Sequence, residues 1–326
     1  MNHLNSYEKV TAWHSLTFFG ITIATILISG TGMLDSIGRQ LVLLAVLLPF
    51  AGIPHGALDY KVAQDTLEHK MGKLWSVSFL TGYVILMATV LLAWQINPSG
   101  SLAVFLCITA LHFGTGDTLT TLGTPTTIRI ADAIGRGGTV LTFPALFFPE
   151  DVALLFSYLI AENDARLFTG FLGLMAPLTV LALLSSIGWY IIQFLRYRDN
   201  IHLSRMLELI ALMAAFSFLP ALLAFTIYFS FLHSVRHLLY LAACINADDL
   251  TGSLRFTLTR SIPVTVATIG LAVIAYFVLA EAGFDIVRLT QVIFIGIASV
   301  TYPHVAVIAV AQRRRILKYQ AALLSN

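Results

Sequence analysis

The sequence predicts an all-α membrane protein, a polytopic bundle of transmembrane helices, for two main reasons. Of its 326 residues, 58% are apolar and 11% are charged, whereas soluble domains are about 45–50% apolar and about 25% charged. Apolar runs of membrane-spanning length also recur from end to end. The net charge is +2 and the basic residues are scattered along the chain, so the sequence gives no signal for nucleic-acid binding. The two cysteines form no CxxC site or disulfide framework.

The apolar runs predict about ten spans, within a range of eight to ten. The first is expected to be a permanent span, because no small-residue cleavage site follows it. Pro144 and Pro149 interrupt the fifth span, and Pro220 separates the short seventh from the eighth. The chain shows no linker, so residues 1–326 are expected to form a single integral membrane domain. The predicted bounds are 11–30, 40–58, 74–94, 101–118, 136–160, 167–194, 205–219, 221–245, 261–280 and 288–311.

Most Lys and Arg residues fall on one side of these spans. With the N-terminus in the cytoplasm, the cytoplasmic segments hold 15 of the 19, and cytoplasmic loops of membrane proteins are enriched in both residues. We therefore predict that both termini are cytoplasmic (N-in, C-in). The cytoplasmic set is Lys9, Lys61, Lys70, Lys73, Arg129, Arg136, Arg196, Arg198, Arg205, Arg255, Arg260, Arg313, Arg314, Arg315 and Lys318.

Apart from His14 at the entrance of the first span, five of the nine histidines lie inside predicted spans, where ionisable side chains are costly and usually face the bundle interior. At about 1.5 Å per residue, they lie about 16–25 Å below the outer ends of their helices. Histidines that only pack helices together have no reason to agree in depth, so we infer a shared site. The five are His55, His112, His233, His237 and His304. The others, His3, His14, His69 and His202, are expected at solvated or interfacial positions.

The spacing of His233 and His237 indicates a metal site. Residues four apart share one helix face, so both rings can bind one ion. No Glu follows His233, which excludes the HExxH motif. A site built from imidazoles suits iron, copper or zinc.

Carboxylates that orient the rings are expected behind such a site. Asp59 lies four residues after His55, and Asp117 lies five residues after His112. Both are candidates for this role, and both positions are equally typical of helix ends at the interface. Arg236 is expected to form an internal ion pair with one of these aspartates, or to extend its charge towards the cytoplasm.

Glycine and proline flank three of the histidines, in Gly52-Ile-Pro-His55-Gly, His112-Phe-Gly-Thr-Gly and Tyr-Pro-His304. Irregular backbone at membrane depth is tolerated where it is buried in protein or lines a cavity. These segments therefore predict helix breaks around an internal pocket.

An aromatic stripe precedes the paired histidines. Phe225 and Phe229 continue the four-residue spacing of His233 and His237, and such a stripe is typical either of a substrate wall or of helix packing. The candidates for lining a substrate site are Phe225, Phe229, Tyr228 and Tyr240.

The segments around the histidines resemble the Brp/Blh family of bacterial and archaeal membrane β-carotene dioxygenases. The matching segments are Gly-Ile-Pro-His55-Gly-Ala-Leu-Asp, Leu-His112-Phe-Gly, Phe-Leu-His233-Ser-Val-Arg-His237 and Tyr-Pro-His304, which together cover residues 52–304. The resemblance implies an enzyme of the cell (inner) membrane, with 1–326 as its catalytic domain. Such an enzyme uses O2 to cleave β-carotene centrally into two all-trans retinals, which then serve a rhodopsin apoprotein.

The resemblance also implies a non-haem Fe(II) ion held by four histidines. Carried over to this chain, the ligands are His55, His112, His233 and His237, with no catalytic side chain beyond the metal site. His304 also matches a family histidine, and we expect it either behind the ligands or as an alternative ligand.

Two other classes of protein stay open on the residues alone. A membrane cytochrome with histidine axial ligands to haem predicts a Soret band in the purified protein. A transporter that uses histidines as proton relays predicts no tightly bound metal and no oxygen-dependent turnover.

Overall fold

The computed structural model describes residues 5–119, 124–279 and 284–324, with side chains described for 7–64, 67–119, 124–279 and 284–311. Every regular element in these ranges is helical, which confirms the predicted all-α class. The helices are α1 (Asn5–Ser29), α2 (Ile37–Leu47), α3 (Ile53–Gly56), α4 (Asp59–Met71), α5 (Trp75–Ile96), α6 (Pro98–Asp117), α7 (Thr126–Phe147), α8 (Pro149–Ser157), α9 (Glu162–Tyr197), α10 (Asn200–Phe218), α11 (Ala221–Ile227), α12 (Ser234–Ile245), α13 (Leu250–Leu279) and α14 (Ile286–Leu324).

The described residues contain eight helical segments that are long and apolar enough to cross a membrane, or up to nine if the bent pair α7–α8 is one span. This number lies within the predicted range of eight to ten. One segment, Ile37–Ile96, is 60 residues long and includes the two predicted spans 40–58 and 74–94. The chain is therefore a multi-pass membrane protein.

The predicted fifth span is a sharply bent helix pair. α7 begins at Thr126, ten residues before the predicted start, and turns by 105° into α8. Pro149 occupies the first position of α8, where its missing N–H costs no helical hydrogen bond. Pro144 is accommodated inside α7. The bounds 136–160 therefore missed the first turns of α7, whereas the interruption predicted at Pro149 is where the chain bends.

Helix breaks were predicted beside three histidines, and the backbone is irregular beside one of them. A π-helical segment, Leu48–Gly52, leads into the four-residue α3, which carries His55. The breaks predicted beside His112 and His304 are wrong, because α6 and α14 continue as helices through them.

The glycine after His112 serves close helix packing instead of a break. A Cβ atom on Gly114 would meet the backbone of Ala133 in α7, and one on Gly137 of α7 would meet the carbonyl group of Ala110 in α6. The two backbones therefore touch, which holds His112 on α6 close to the bundle centre.

The segment Ala221–Ile245 is the central span. Of its apolar 18-residue stretch 83% is buried, against 6–44% of the corresponding stretches in the other seven single segments. It contains α11, a second π-helical segment (Tyr228–His233) and α12. Because this span is surrounded by protein, its side chains His233 and His237 lie in the interior.

Two of the basic residues assigned to cytoplasmic segments are buried in the bundle. Arg136 lies on α7 and Arg205 on α10, with 0% and 4% of their surfaces exposed. Their charges therefore do not support the assignment of the loops to the cytoplasmic side. The side chains of Arg313, Arg314, Arg315 and Lys318 lie outside the described residues, and the N-in, C-in orientation stays a prediction.

Candidate metal centre

The five histidines predicted to share a site lie together at the bundle centre. They come from α3, α6, the π-helical segment before α12, α12 itself, and α14. Each side chain is buried, with between 1% and 8% of the residue exposed. Six pairs of rings have centroids 5.0–5.4 Å apart. The members of this histidine cluster are His55, His112, His233, His237 and His304.

Every ring in the cluster has a buried nitrogen without a hydrogen-bond partner. These atoms are Nδ1 of His55 and Nε2 of the other four. A buried polar atom normally has a partner, and five unsatisfied imidazole nitrogens in one small volume have the chemistry of a set of metal ligands. The side chains present therefore fit a transition-metal ion.

Three members of the cluster bring their ligand atoms especially close. One nitrogen each from His55, His112 and His304 lie within 4.8 Å of one another. This group includes His304, expected either behind the ligands or as an alternative ligand, and it leaves out His233 and His237, which the family resemblance implied as ligands.

Two aspartates hold two of the rings in place by hydrogen bonds to Nδ1. Nδ1 of His233 is 3.1 Å from Oδ1 of Asp117, and Nδ1 of His304 is 2.7 Å from Oδ1 of Asp59. Each carboxylate holds its ring with Nε2 directed away from it, as carboxylates do behind metal-binding histidines. Each aspartate contacts a histidine other than the one nearest to it in sequence. Asp59 contacts His304 instead of His55, and Asp117 contacts His233 instead of His112.

Two tyrosines hold the aspartates in turn. The hydroxyl of Tyr228 donates to Asp117 at 2.5 Å, and the hydroxyl of Tyr83 donates to Asp59 at 3.0 Å. Tyr228 was predicted to line a substrate site, and its hydroxyl is engaged behind His233. Tyr83 was not predicted. Tyr240 lies beside His237, with ring centroids 6.1 Å apart.

Arg236 forms a buried ion pair, and its partner is Glu208 on α10. Nη1 of Arg236 donates to Oε1 of Glu208 at 2.9 Å and to the backbone carbonyl of Asp117 at 2.8 Å. Arg236 therefore links the aspartate behind His233 to a second helix. An internal ion pair was predicted, but with an aspartate as partner.

Glu208 is shared by two arginines in a buried network. Besides Arg236 it binds Arg136, and it accepts a hydrogen bond from Ser15. Nε of Arg136 also donates to Asp132 at 3.0 Å. We call these five residues, Ser15, Asp132, Arg136, Glu208 and Arg236, the buried ion network.

An apolar cavity of about 480 Å³ adjoins the histidines. Four members of the cluster line it, all except His237, and so do Phe225 and Phe229. The two phenylalanine rings stack on each other at 5.4 Å, and the ring of Phe229 stacks on that of His233 at 5.8 Å. The cavity can therefore hold an apolar molecule against the imidazoles.

Three of the four remaining histidines, which were predicted at solvated or interfacial positions, are described and lie outside the cluster. His14 is half-buried, and its Nε2 lies 2.7 Å from the backbone carbonyl of Phe231. His69 is exposed on α4. His202 pairs with Asp199 near the start of α10, and His3 lies outside the described residues.

Comparison with known proteins assigns the family. The sequence profile of the family described as beta-carotene 15,15'-dioxygenase matches residues 42–312, which include the whole histidine cluster. The chain belongs to the beta-carotene 15,15'-dioxygenase family. This agrees with the resemblance of its histidine segments to Brp/Blh proteins.

Two members of this family show how far the similarity extends. A protein of the uncultured marine bacterium 66A03, named beta-carotene 15,15'-dioxygenase, is 27% identical over 262 residues, which cover 80% of this chain and 90% of the relative. A protein of Halobacterium salinarum, named probable beta-carotene 15,15'-dioxygenase Blh, is 25% identical over 288 residues, covering 79% of this chain and 80% of that protein. No solved structure matches the chain.

Proposed function

We propose that this protein is a carotenoid dioxygenase that cleaves the central double bond of β-carotene with O2 and releases two molecules of all-trans retinal. The observation that carries the proposal is the histidine cluster in the wall of an apolar cavity, with a buried unpartnered nitrogen on every ring. Family membership supports the choice of substrate and reaction, because both relatives are named for this activity.

The cofactor in this proposal is a non-haem Fe(II) ion, which would supply the activation of O2. We propose His55, His112, His233 and His237 as its ligands. The close approach of His304 to His55 and His112 supports the alternative in which His304 also binds the ion. Asp59 and Asp117 keep the rings of His304 and His233 turned towards the centre.

The remaining residues of the cavity bind the polyene and exclude water. Phe225 and Phe229 offer a flat aromatic surface beside His233, on which a conjugated chain can stack. A ring face can also stabilise positive charge that develops on a polyene.

The setting of the enzyme follows from its spans and its substrate. We propose that residues 1–326 form one catalytic domain in the cell (inner) membrane, where β-carotene dissolves in the lipid bilayer. The retinal product would pass to a rhodopsin apoprotein, and we expect no nucleic-acid partner.

Expression in cells that accumulate β-carotene tests the proposed function. We expect the orange colour to fade and retinal to appear in the extracted pigments. The purified protein is expected to contain iron and to lack a Soret band. Persistence of β-carotene without retinal in cells that contain the folded protein would contradict the proposal. A Soret band would support the cytochrome alternative.

Replacing Asp117 by Asn is expected to weaken metal binding while most of the protein stays folded. An amide is nearly the size of the carboxylate but provides less negative charge behind His233. Losses of roughly 10–100-fold in metal affinity or activity are typical for such partners. Iron titration of the metal-free protein measures the effect. Asp164→Asn is the control, because the carboxylate of Asp164 accepts a hydrogen bond from Ser99 outside the cluster. Equal iron affinity in both variants would contradict the positioning role of Asp117.

Replacing Phe229 by Ala is expected to impair the use of β-carotene without loss of iron. The ligands are unchanged, but the ring stacked on His233 is removed, and small misplacements of reacting atoms can cost about 100-fold in rate. Turnover, product pattern and metal content are the measurements. We expect slower turnover or unequal cleavage products. The control, Phe218→Ala, changes a phenylalanine that is 68% exposed on α10. Wild-type kinetics in Phe229→Ala would show that this ring only packs helices.

A further inference from the structure

The wall of the cavity is exposed at two helices. Among the described residues that line the cavity, four are exposed, with 47–65% of their surface accessible. All four lie on α5 or α13, whereas the lining residues of every other element are buried or half-buried. The exposed lining residues are Leu80 and Val84 of α5, and Val264 and Leu271 of α13.

These four side chains face the cavity on one side and the outside of the bundle on the other. They are all aliphatic, and they belong to spans, so the surroundings of the bundle at this level are lipid. The exposed wall therefore lies between the lipid and the cavity that four of the histidines also line.

Helix α13 is less buried in the bundle than the other long helical segments. Only 6% of its apolar 18-residue stretch is buried, against 22–83% in the other seven single segments of the described chain that are long enough to cross a membrane. The residues it does bury are small and polar: Ser253, Thr257, Ser261 and Thr265. Without large interlocking side chains, little packing energy opposes a small displacement of α13 from the bundle.

We propose that the polyene substrate reaches the histidine cluster sideways from the lipid, through the wall formed by α5 and α13. This inference rests on the proposed function, which supplies a long, rigid, apolar substrate. Such a molecule has almost no solubility in water, so a path through the aqueous loops would cost the transfer of its whole apolar surface. A path through the exposed wall involves no such cost.

The proposal makes tryptophan at the exposed wall an obstacle to binding. Val264→Trp adds a large ring at a position that lines the cavity, whereas Val266→Trp adds the same ring two residues away, at a position that is 61% exposed and outside the lining. Leu271→Trp and its control Val273→Trp form a second matched pair on the same helix. Residues two apart lie on different helix faces, so each control keeps the size change but moves it away from the wall.

The test measures uptake of β-carotene separately from its cleavage. Purified iron-loaded protein is mixed with β-carotene in detergent micelles without O2, and the carotenoid bound to the protein is followed over time. We expect Val264→Trp and Leu271→Trp to slow uptake at least about tenfold, within the range over which association rates of related variants differ. Val266→Trp and Val273→Trp are expected to match the wild type. Metal content is measured in all variants to confirm an intact cluster.

Two outcomes decide the proposal. Slow uptake in the wall variants alone supports it, and equal uptake in each wall variant and its control overturns it. Adding O2 after binding then tests the proposed function by itself. If wild-type protein binds β-carotene but forms no retinal, the cleavage reaction is contradicted, while the path into the cavity is still decided by the uptake rates.

Discussion

Retinal formation is expected to stop when any one of His55, His112, His233 or His237 is replaced by Ala. Each substitution removes one proposed iron ligand from a buried site. Bound iron should therefore fall together with activity. The measurements are retinal in β-carotene-producing cells and the iron content of the purified variants. The control is His69→Ala, which removes an exposed histidine on α4 and should leave both values unchanged.

The same series decides the role of His304. If His304 only supports the ligands, His304→Ala should reduce activity or metal affinity roughly 10–100-fold. Complete loss of iron would make it a ligand, as its nearness to His55 and His112 suggests. Full activity in two or more of the first four variants would contradict the four-histidine assignment.

Replacing Glu208 by Ala is expected to be the most destabilising change outside the cluster. It leaves Arg136 and Arg236 buried without their shared carboxylate. Removing one partner of a buried ion pair typically costs about 3–5 kcal/mol. We therefore expect a large fall in the thermal unfolding midpoint in detergent, or loss of folded protein. The control is Glu162→Ala, whose carboxylate is 70% exposed in its pair with Arg166 and should contribute little.

A milder variant keeps this prediction measurable if Glu208→Ala does not fold. Ser15→Ala removes one hydrogen bond to Glu208, and a single hydrogen bond contributes about 1 kcal/mol. Its unfolding midpoint should fall slightly, with iron retained. An unchanged midpoint in both Glu208→Ala and Ser15→Ala would show that the buried ion network does not stabilise the bundle.

The position of the histidine cluster was predictable because membrane depth can be counted along a helix. Each span rises by a fixed distance per residue, so residues as far apart as His55 and His304 could be placed in one layer. The number of spans followed in the same way from apolar length. Neither inference needs the rotation of one helix relative to another.

Side-chain partners could not be predicted, because they depend on that rotation. Asp59 lies one turn from His55 in sequence, yet contacts His304, since α3 and α4 are separated by a break and α14 packs against α4. The π-helical turn Tyr228–His233 likewise changes which face each aromatic residue presents. Tyr228 consequently binds Asp117, while Phe229 lines the cavity.

Glu208 was missed although the sequence carried a signal. A glutamate inside a predicted span, 205–219, is costly unless it is paired, and the same reasoning that selected the histidines applies to it. Its partners, Arg136 and Arg236, come from two other helices. Intramembrane charges of both signs in one chain thus indicate an internal network, even where the pairing is unknown.

The stoichiometry of the reaction tests the central claim most directly. Purified iron-loaded protein is supplied with β-carotene, and the O2 consumed, the β-carotene lost and the retinal formed are measured together. Cleavage of the central double bond adds one oxygen atom to each half, so one O2 and one β-carotene should give two retinals and no other product. Loss of β-carotene without matching O2 uptake, or unequal fragments in place of retinal, would contradict the account.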